Sequence, residues 1–151
     1  RDAQESRGLG DVYKRQESVW FFCDTEKMIP VRVMPEDVEA YGEGEALDLG
    51  KAPRKIAVPE NYEEETPVTI AVHHLDTNHH VNNAQYVDIA REAVTCTKKV
   101  KEIRVDYKKA AVLGEVLIPR VTKTGEDEWT IVLTGEDKEI RAVVWLKYEE
   151  A

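Results

Sequence analysis

The chain has 151 residues, 34% of them charged, and a formal net charge of −9. That length allows one domain and part of another, and the acidic balance argues against general nucleic-acid or anionic-membrane binding, which wants a basic face. Cys23 and Cys96 lack metal-like spacing and suit a reducing cytoplasm; no apolar run reaches the length of a membrane span, and no signal peptide is visible.

Residues 1–16 open on Arg1, and Asp11-Val12-Tyr13-Lys14-Arg15-Gln16 looks like a translated sequencing-library adaptor. This segment is expected to be a disordered scar without fold information. Ser18–Cys23 and Met28–Met34 read as two short strands joined by the polar turn Asp24-Thr25-Glu26-Lys27. An isolated hairpin cannot bury a core, so residues 17–38 are expected to be the last part of a domain cut away upstream. Pro35-Glu36-Asp37-Val38 begins a short helix. Residues 39–65, with Gly42, Gly44, Gly50, Pro53 and Pro59, have the composition of a linker.

From residue 66 the pattern is more regular. Val68, Ile70 and Val72 alternate with Thr69, Ala71 and His73, which predicts a half-buried strand. Asn82 or Asn83 caps a helix running to about Thr95, with Ala84, Val87, Ala90 and Val94 at apolar spacing. Four strand candidates follow: Ile103, Val105 and Tyr107 alternating with charged residues, Val112 to Val121, Trp129 to Leu133, and Ile140 to Tyr148. Gly125-Glu126-Asp127-Glu128 and Gly135-Glu136-Asp137-Lys138 suit hairpin loops. Strand, helix and four antiparallel strands make residues 66–149 an α+β domain, one helix packed on a curled sheet.

The chemistry concentrates between His74 and Tyr86. Asp76, Asn78 and His80 recur at every second position, and an extended backbone would point all three to one face. Asn82 and Asn83 then open the helix, whose N-terminus offers free N–H groups and a positive dipole end, suited to an oxyanion. Histidine is matched to general-base work near neutral pH. Asp76 is either that base or a structural residue that orients His80 or bonds loop N–H groups; the sequence leaves the choice open. All four histidines lie between His73 and His80, but adjacent residues of a strand face opposite ways and no cysteine is near. No metal or cofactor is therefore expected. His73 and His79 are expected to face solvent or pack, Glu92 to lie on the helix surface, Tyr86 to be core and Cys96 to be a small buried residue.

Asp76-x-Asn78-x-His80-Val81-Asn82-Asn83-x-x-Tyr86, followed by Glu92, resembles the signature of acyl-acyl carrier protein thioesterases. Trp20-Phe21-Phe22-Cys23-Asp24-Thr25, with Asp37-Val38, is similar to that family's exit from its first domain. The resemblance implies a tandem hotdog fold, a central helix wrapped by a curved antiparallel sheet, with the C-terminal hotdog complete and the N-terminal one truncated. It implies Asp76, Asn78 and His80 as catalytic residues. The family's Glu-Cys pair falls on Ala110 and Ala111, so a cysteine nucleophile is not expected, and Cys96 does not match that position. The implied reaction is hydrolysis of fatty acyl-acyl carrier protein to free fatty acid and carrier protein in the cytoplasm, which ends fatty acid synthesis.

The implied partner, an acyl carrier protein bearing a fatty acyl chain, is acidic. Lys98, Lys99, Lys101, Arg104, Lys108 and Lys109 would give it a local basic docking face on an otherwise repelling surface, although lysines also guard strand edges against aggregation. Two other functions compete: a coenzyme A thioesterase of the single-hotdog kind, and a non-catalytic acyl-binding module. A truncated first hotdog would leave a sheet edge open to homodimerisation through the hotdog sheets.

Overall fold

The computed structural model describes residues 22–24, 26–27, 29–41 and 55–150. The expected scar at residues 1–16, the start of the strand expected over Ser18–Cys23 and about half of the expected linker, residues 42–54, lie outside them. The chain divides into two compact units, Arg1–Ala52 and Pro53–Ala151.

In the first unit, β1 (Phe22–Asp24) and β2 (Ile29–Val31) pair antiparallel, with Phe22 opposite Val31 and Asp24 opposite Ile29. The Asp24 carboxylate closes the turn by accepting the N–H groups of Glu26 and Lys27 at 2.9 and 2.8 Å, a habit of short acidic side chains. Helix α1 (Pro35–Tyr41) begins on a proline whose missing N–H costs nothing there. Asp37 reaches back to accept the Met34 N–H at 3.0 Å, closing the start as a capping box does. The helix runs past residue 38, into the stretch expected as linker.

The second unit is a six-stranded antiparallel sheet in the order β3–β6–β7–β8–β5, with β4 also on β6. Its strands are β3 (Glu63–Glu64), β4 (Val68–Thr69), β5 (Val100–Tyr107), β6 (Val116–Gly125), β7 (Glu128–Gly135) and β8 (Ile140–Tyr148). Tight turns join β6 to β7 and β7 to β8, while β5 crosses to the far side of β8. Helix α2 (Asn83–Val94) lies against β6, β7 and β8. It buries Tyr86, Ile89 and Ala90 on Leu117, Ile131, Leu133, Ala142, Val144, Leu146 and Tyr148. Ala90 is fully buried, and a methyl at that place lets helix and sheet come close. Trp129 packs its edge on Tyr148, ring centres 5.3 Å apart. Among the described residues no helix is long and apolar enough to cross a membrane.

Three expectations change here, besides the start of the strand predicted over Val112 to Val121, which begins at Val116 and runs to Gly125. The strand predicted over Val68 to His73 shrinks to Val68–Thr69. Val72 opens a short 3-10 turn, Val72–His74, and is exposed rather than core. The apolar face of α2 is rotated from the Ala84, Val87, Ala90 and Val94 stripe, because Tyr86 and Ile89 point at the sheet and Ala84 is exposed. Size outweighs spacing here: the aromatic and branched side chains have more apolar area to bury. Third, residues 56–65, expected as linker, are fastened to the sheet. Ile56 N–H donates to Asp106 at 3.0 Å, Thr122 Oγ1 donates to the Asn61 carbonyl at 2.6 Å, and β3 pairs with β6.

Pro119 explains why β3 and β4 are two short strands. Its carbonyl accepts the Glu65 N–H at 2.9 Å, and on an antiparallel strand the same residue's N–H would face the same neighbour. Proline has none to give, so the ladder on that side breaks between the Arg120–Glu64 and Leu117–Val68 pairs.

Candidate active site

Buried Ile70 anchors the segment that leaves β4: its N–H donates to the Glu115 carbonyl at 2.8 Å, and its carbonyl accepts the Gly114 N–H at 2.9 Å. After the 3-10 turn, Leu75 and Val81 pair antiparallel and close residues 76–80 into a loop. Within it the Asp76 N–H donates to the His80 carbonyl at 2.8 Å, and the His79 N–H donates to the Asp76 carbonyl at 3.1 Å. The Asp76 carboxylate accepts from the N–H of Asn78 at 2.8 Å and of His80 at 3.2 Å through one oxygen. His79 takes the left-handed conformation, φ 62°.

The extended backbone expected for Asp76, Asn78 and His80 is therefore replaced by a compact loop. A short carboxylate two residues before an N–H offers the chain a local partner that a strand cannot match. The three residues stay in one loop, Asp76 half-buried and the other two exposed. The polarity of the loop comes from its fold as much as from its side chains.

Asn82 and Asn83 carry the loop into α2. Asn82 is the N-cap, its side-chain oxygen accepting the Ala84 N–H at 2.9 Å while its carbonyl accepts that of Gln85. Its amide is thus engaged by the helix. Asn83 is the first helical residue, and Tyr107 Oη donates to its carbonyl at 3.0 Å. Among the described residues no acceptor pairs with the Asn83 N–H, which stands at the positive end of the helix.

A second loop, residues 110–115, flanks the first. Val81 donates its N–H to the Ala111 carbonyl at 2.9 Å, and His80 bridges to Val112. The buried Tyr86 hydroxyl accepts the Ala111 N–H at 2.8 Å, and its burial raises the phenol's pKa. Tyr107 meets the Tyr86 ring edge-on at 5.7 Å and is likewise shifted up by burial. Ala110 is exposed and Ala111 fully buried; neither offers a carboxylate or thiol. Residues not foreseen as part of the site, Tyr107 and Glu115, hold its frame. A tyrosine ending the apolar alternation of β5 and a lone acid after Gly114 were the available signals.

The His74 carbonyl accepts the Asn82 N–H at 2.9 Å, but the imidazoles of His73 and His74 point elsewhere. The His73 and His74 rings meet at a tilt of 51° with centres 4.0 Å apart, and His74 Nδ1 accepts the Ala71 N–H at 2.9 Å. Burial and the neighbouring His73 lower the His74 pKa, against a smaller opposing pull from Glu92. Both line an open groove with Gln85, Asp88, Arg91, Glu92 and Cys96, which Asp76, Asn78 and His80 do not line. Among the described residues no group of three or more His, Cys, Asp or Glu side chains could hold a metal ion.

The basic cluster is largely paired. Lys98 meets Asp127 at 2.6 Å, Lys99 meets Glu149 at 3.4 Å, Lys108 meets Asp106 at 3.4 Å, and Lys109 pairs with Glu139 and Asp137. Lys101 is exposed and has no ion pair among the described residues.

One helix laid on a curled antiparallel sheet, with a polar loop feeding its N-terminus, defines a hotdog-fold protein. The family model described as the acyl-ACP thioesterase C-terminal domain matches residues 58–146. The chain belongs to the acyl-ACP thioesterase family. Its fold is similar to that of an acyl-ACP thioesterase from Bacteroides thetaiotaomicron, with a TM-score of 0.73 at 16% identity over 84% of this chain and 53% of that one. A 12:0-ACP thioesterase from Umbellularia californica gives 0.66 at 17% identity, over 84% and 52%. A Staphylococcus aureus protein solved in complex with CoA gives 0.53 at 18%, over 60% and 76%. The chain spans about half the length of the two acyl-ACP thioesterases. No curated protein sequence matches it significantly.

Proposed function

We propose that this chain carries the hydrolytic site of a fatty acyl-acyl carrier protein thioesterase, and that the loop 76–80 and the tip of α2 perform the reaction. A thioester is already activated, so a polarised carbonyl and a deprotonated water suffice. His80 takes a proton from water, and the hydroxide adds to the thioester carbonyl. The resulting oxyanion lies at the α2 N-terminus, beside the Asn83 N–H. Collapse breaks the C–S bond, and the leaving thiolate takes the proton back from His80. Asn78 orients the water or the carbonyl. Residues 17–38 are the end of a first hotdog, and residues 66–149 are the second.

The observation that carries this reading is the Asp76 carboxylate, which accepts two backbone N–H groups of its own loop. An oxygen so engaged favours a loop-holding role for Asp76 and leaves His80 as the base. The assay that tests it compares His80→Ala, Asn78→Ala and Asp76→Asn on acyl-carrier protein. His80→Ala is expected to lose about a hundredfold or more in kcat, as for removal of a general base. Asp76→Asn keeps an acceptor oxygen and retains most turnover. A large loss in Asp76→Asn with little loss in His80→Ala would reverse the two roles, and full activity in all three would end the proposal. Running acyl-coenzyme A beside acyl-carrier protein decides between the carrier-protein and coenzyme A substrates.

A further inference from the structure

We infer that Glu115, braced by Arg141, and Tyr86 are positioning residues for His80, acting through the loop 110–115; this rests on the hydrolytic reading above. Val112 and Leu113 in that loop are 46% and 55% exposed, so beyond the buried Ala111 apolar burial does little to fix it. Individual bonds fix it instead. Glu115 Oε2 accepts the Val112 N–H at 3.2 Å, and the Tyr86 hydroxyl holds the adjacent Ala111 N–H.

Glu115 is itself held from the sheet. Its other oxygen accepts Arg141 Nε at 2.5 Å, and Arg141, only 5% exposed, also donates to Asp137 at 2.8 Å and to the Glu139 carbonyl at 3.0 Å. A planar guanidinium with acceptors on several sides has little freedom left. Gly135 makes room for it, since a Cβ there would sit 2.6 Å from Arg141 Nη2. The anchored loop then presents the Ala111 carbonyl to the Val81 N–H and Val112 to His80. The backbone of His80 is thus held from one side by Asp76 and from the other by a series of side chains that starts in β8. A base displaced by about 1 Å can lose a hundredfold in rate, so these contacts bear on turnover.

The test uses the full chain and the variants Glu115→Ala, Glu115→Gln and Tyr86→Phe. Hydrogen exchange is read at the Val81 amide against those of Ile131, Leu133 and Val144 in the core. Glu115→Ala is expected to speed exchange at Val81 by about tenfold or more while the core amides stay unchanged. Glu115→Gln, whose single amide oxygen can accept from Arg141 or from the Val112 N–H but not from both, restores it only in part. On an acyl thioester, Glu115→Ala lowers kcat about tenfold with little change in KM, and adding it to His80→Ala produces no further loss. Unchanged Val81 exchange, or losses that multiply in the double variant, would overturn the inference. If Glu115→Ala does not fold, Tyr86→Phe, which removes only the acceptor of the Ala111 N–H, is read in the same way. If His80→Ala turns over like the parent, the hydrolytic reading is at fault, and the exchange result still decides the loop's dependence on Glu115.

Discussion

The sheet β6–β8 and the rim formed by residues 70–82 and 110–115 keep their shape by different means. In the sheet, Leu117, Ile131, Leu133, Ala142 and Val144 are fully buried, and the long ladders of β6, β7 and β8 fix every register position at once. On the rim, Asn78, His80, Val112 and Leu113 are exposed, and beside a few backbone bonds individual side-chain acceptors hold one or two N–H groups each: Asp76 for Asn78 and His80, Asn82 for Ala84, Tyr86 for Ala111. Burial is shared among many residues, whereas a capping bond has one owner. The sheet should therefore tolerate conservative change and the rim should not.

The strongest perturbation of that contrast is a cavity. Leu133→Ala in β7 is expected to lower the free energy of unfolding by about 2–5 kcal/mol, measured by urea titration, while leaving the rim bonds in place. Asp76→Ala should cost about 1–2 kcal/mol, because water can reach this half-exposed site. Its damage to turnover should nonetheless exceed that of Leu133→Ala in the folded fraction, a reversal that assays at a temperature where both variants stay folded would detect. Tyr107→Phe removes the bond to the Asn83 carbonyl and should cost about 1 kcal/mol, with faster exchange in the first turn of α2.

A smaller effect follows from His74. Its folded pKa lies below the ordinary value of 6.5, so the fold favours the neutral ring, whose Nδ1 accepts the Ala71 N–H. Stability from this group is complete above about pH 6.5 and is lost as pH falls through the lower folded value. His74→Asn, which keeps an acceptor near the Nδ1 place without titrating, should flatten that part of the pH dependence of the melting temperature. The smallest expected change is at Lys101. Lys101→Glu should raise KM for acyl-carrier protein a few-fold at low salt and spare small thioesters. Equal changes for both substrates would remove the docking expectation.

Much of the sheet was legible because its code is local. Ile140 to Tyr148 reads directly as β8, the two Gly-Glu-Asp turns fall where the hairpins are, and α2 is capped at Asn82 and stops at Thr95, as spacing suggests. The polar loop was legible as a cluster of residues and illegible in its shape. Alternation suggested a strand for Asp76, Asn78 and His80; a carboxylate bond across two residues made a loop. The period of α2 likewise located its turns but misjudged its buried face, which depends on what the sheet offers opposite Tyr86 and Ile89.

The succession from α2 through β5 to β8, the ends of α2, the hairpins and the identity of the polar residues at its tip are written in the amino-acid order alone, because interactions a few residues apart set them. Only the tertiary structure decided that Asp76 holds its own loop, that Val72 turns outward, and that a buried Arg141 in β8 braces Glu115 beside His80. Those outcomes depend on partners that are distant in the chain, or on local bonds that compete with the ladder, and residue spacing records neither.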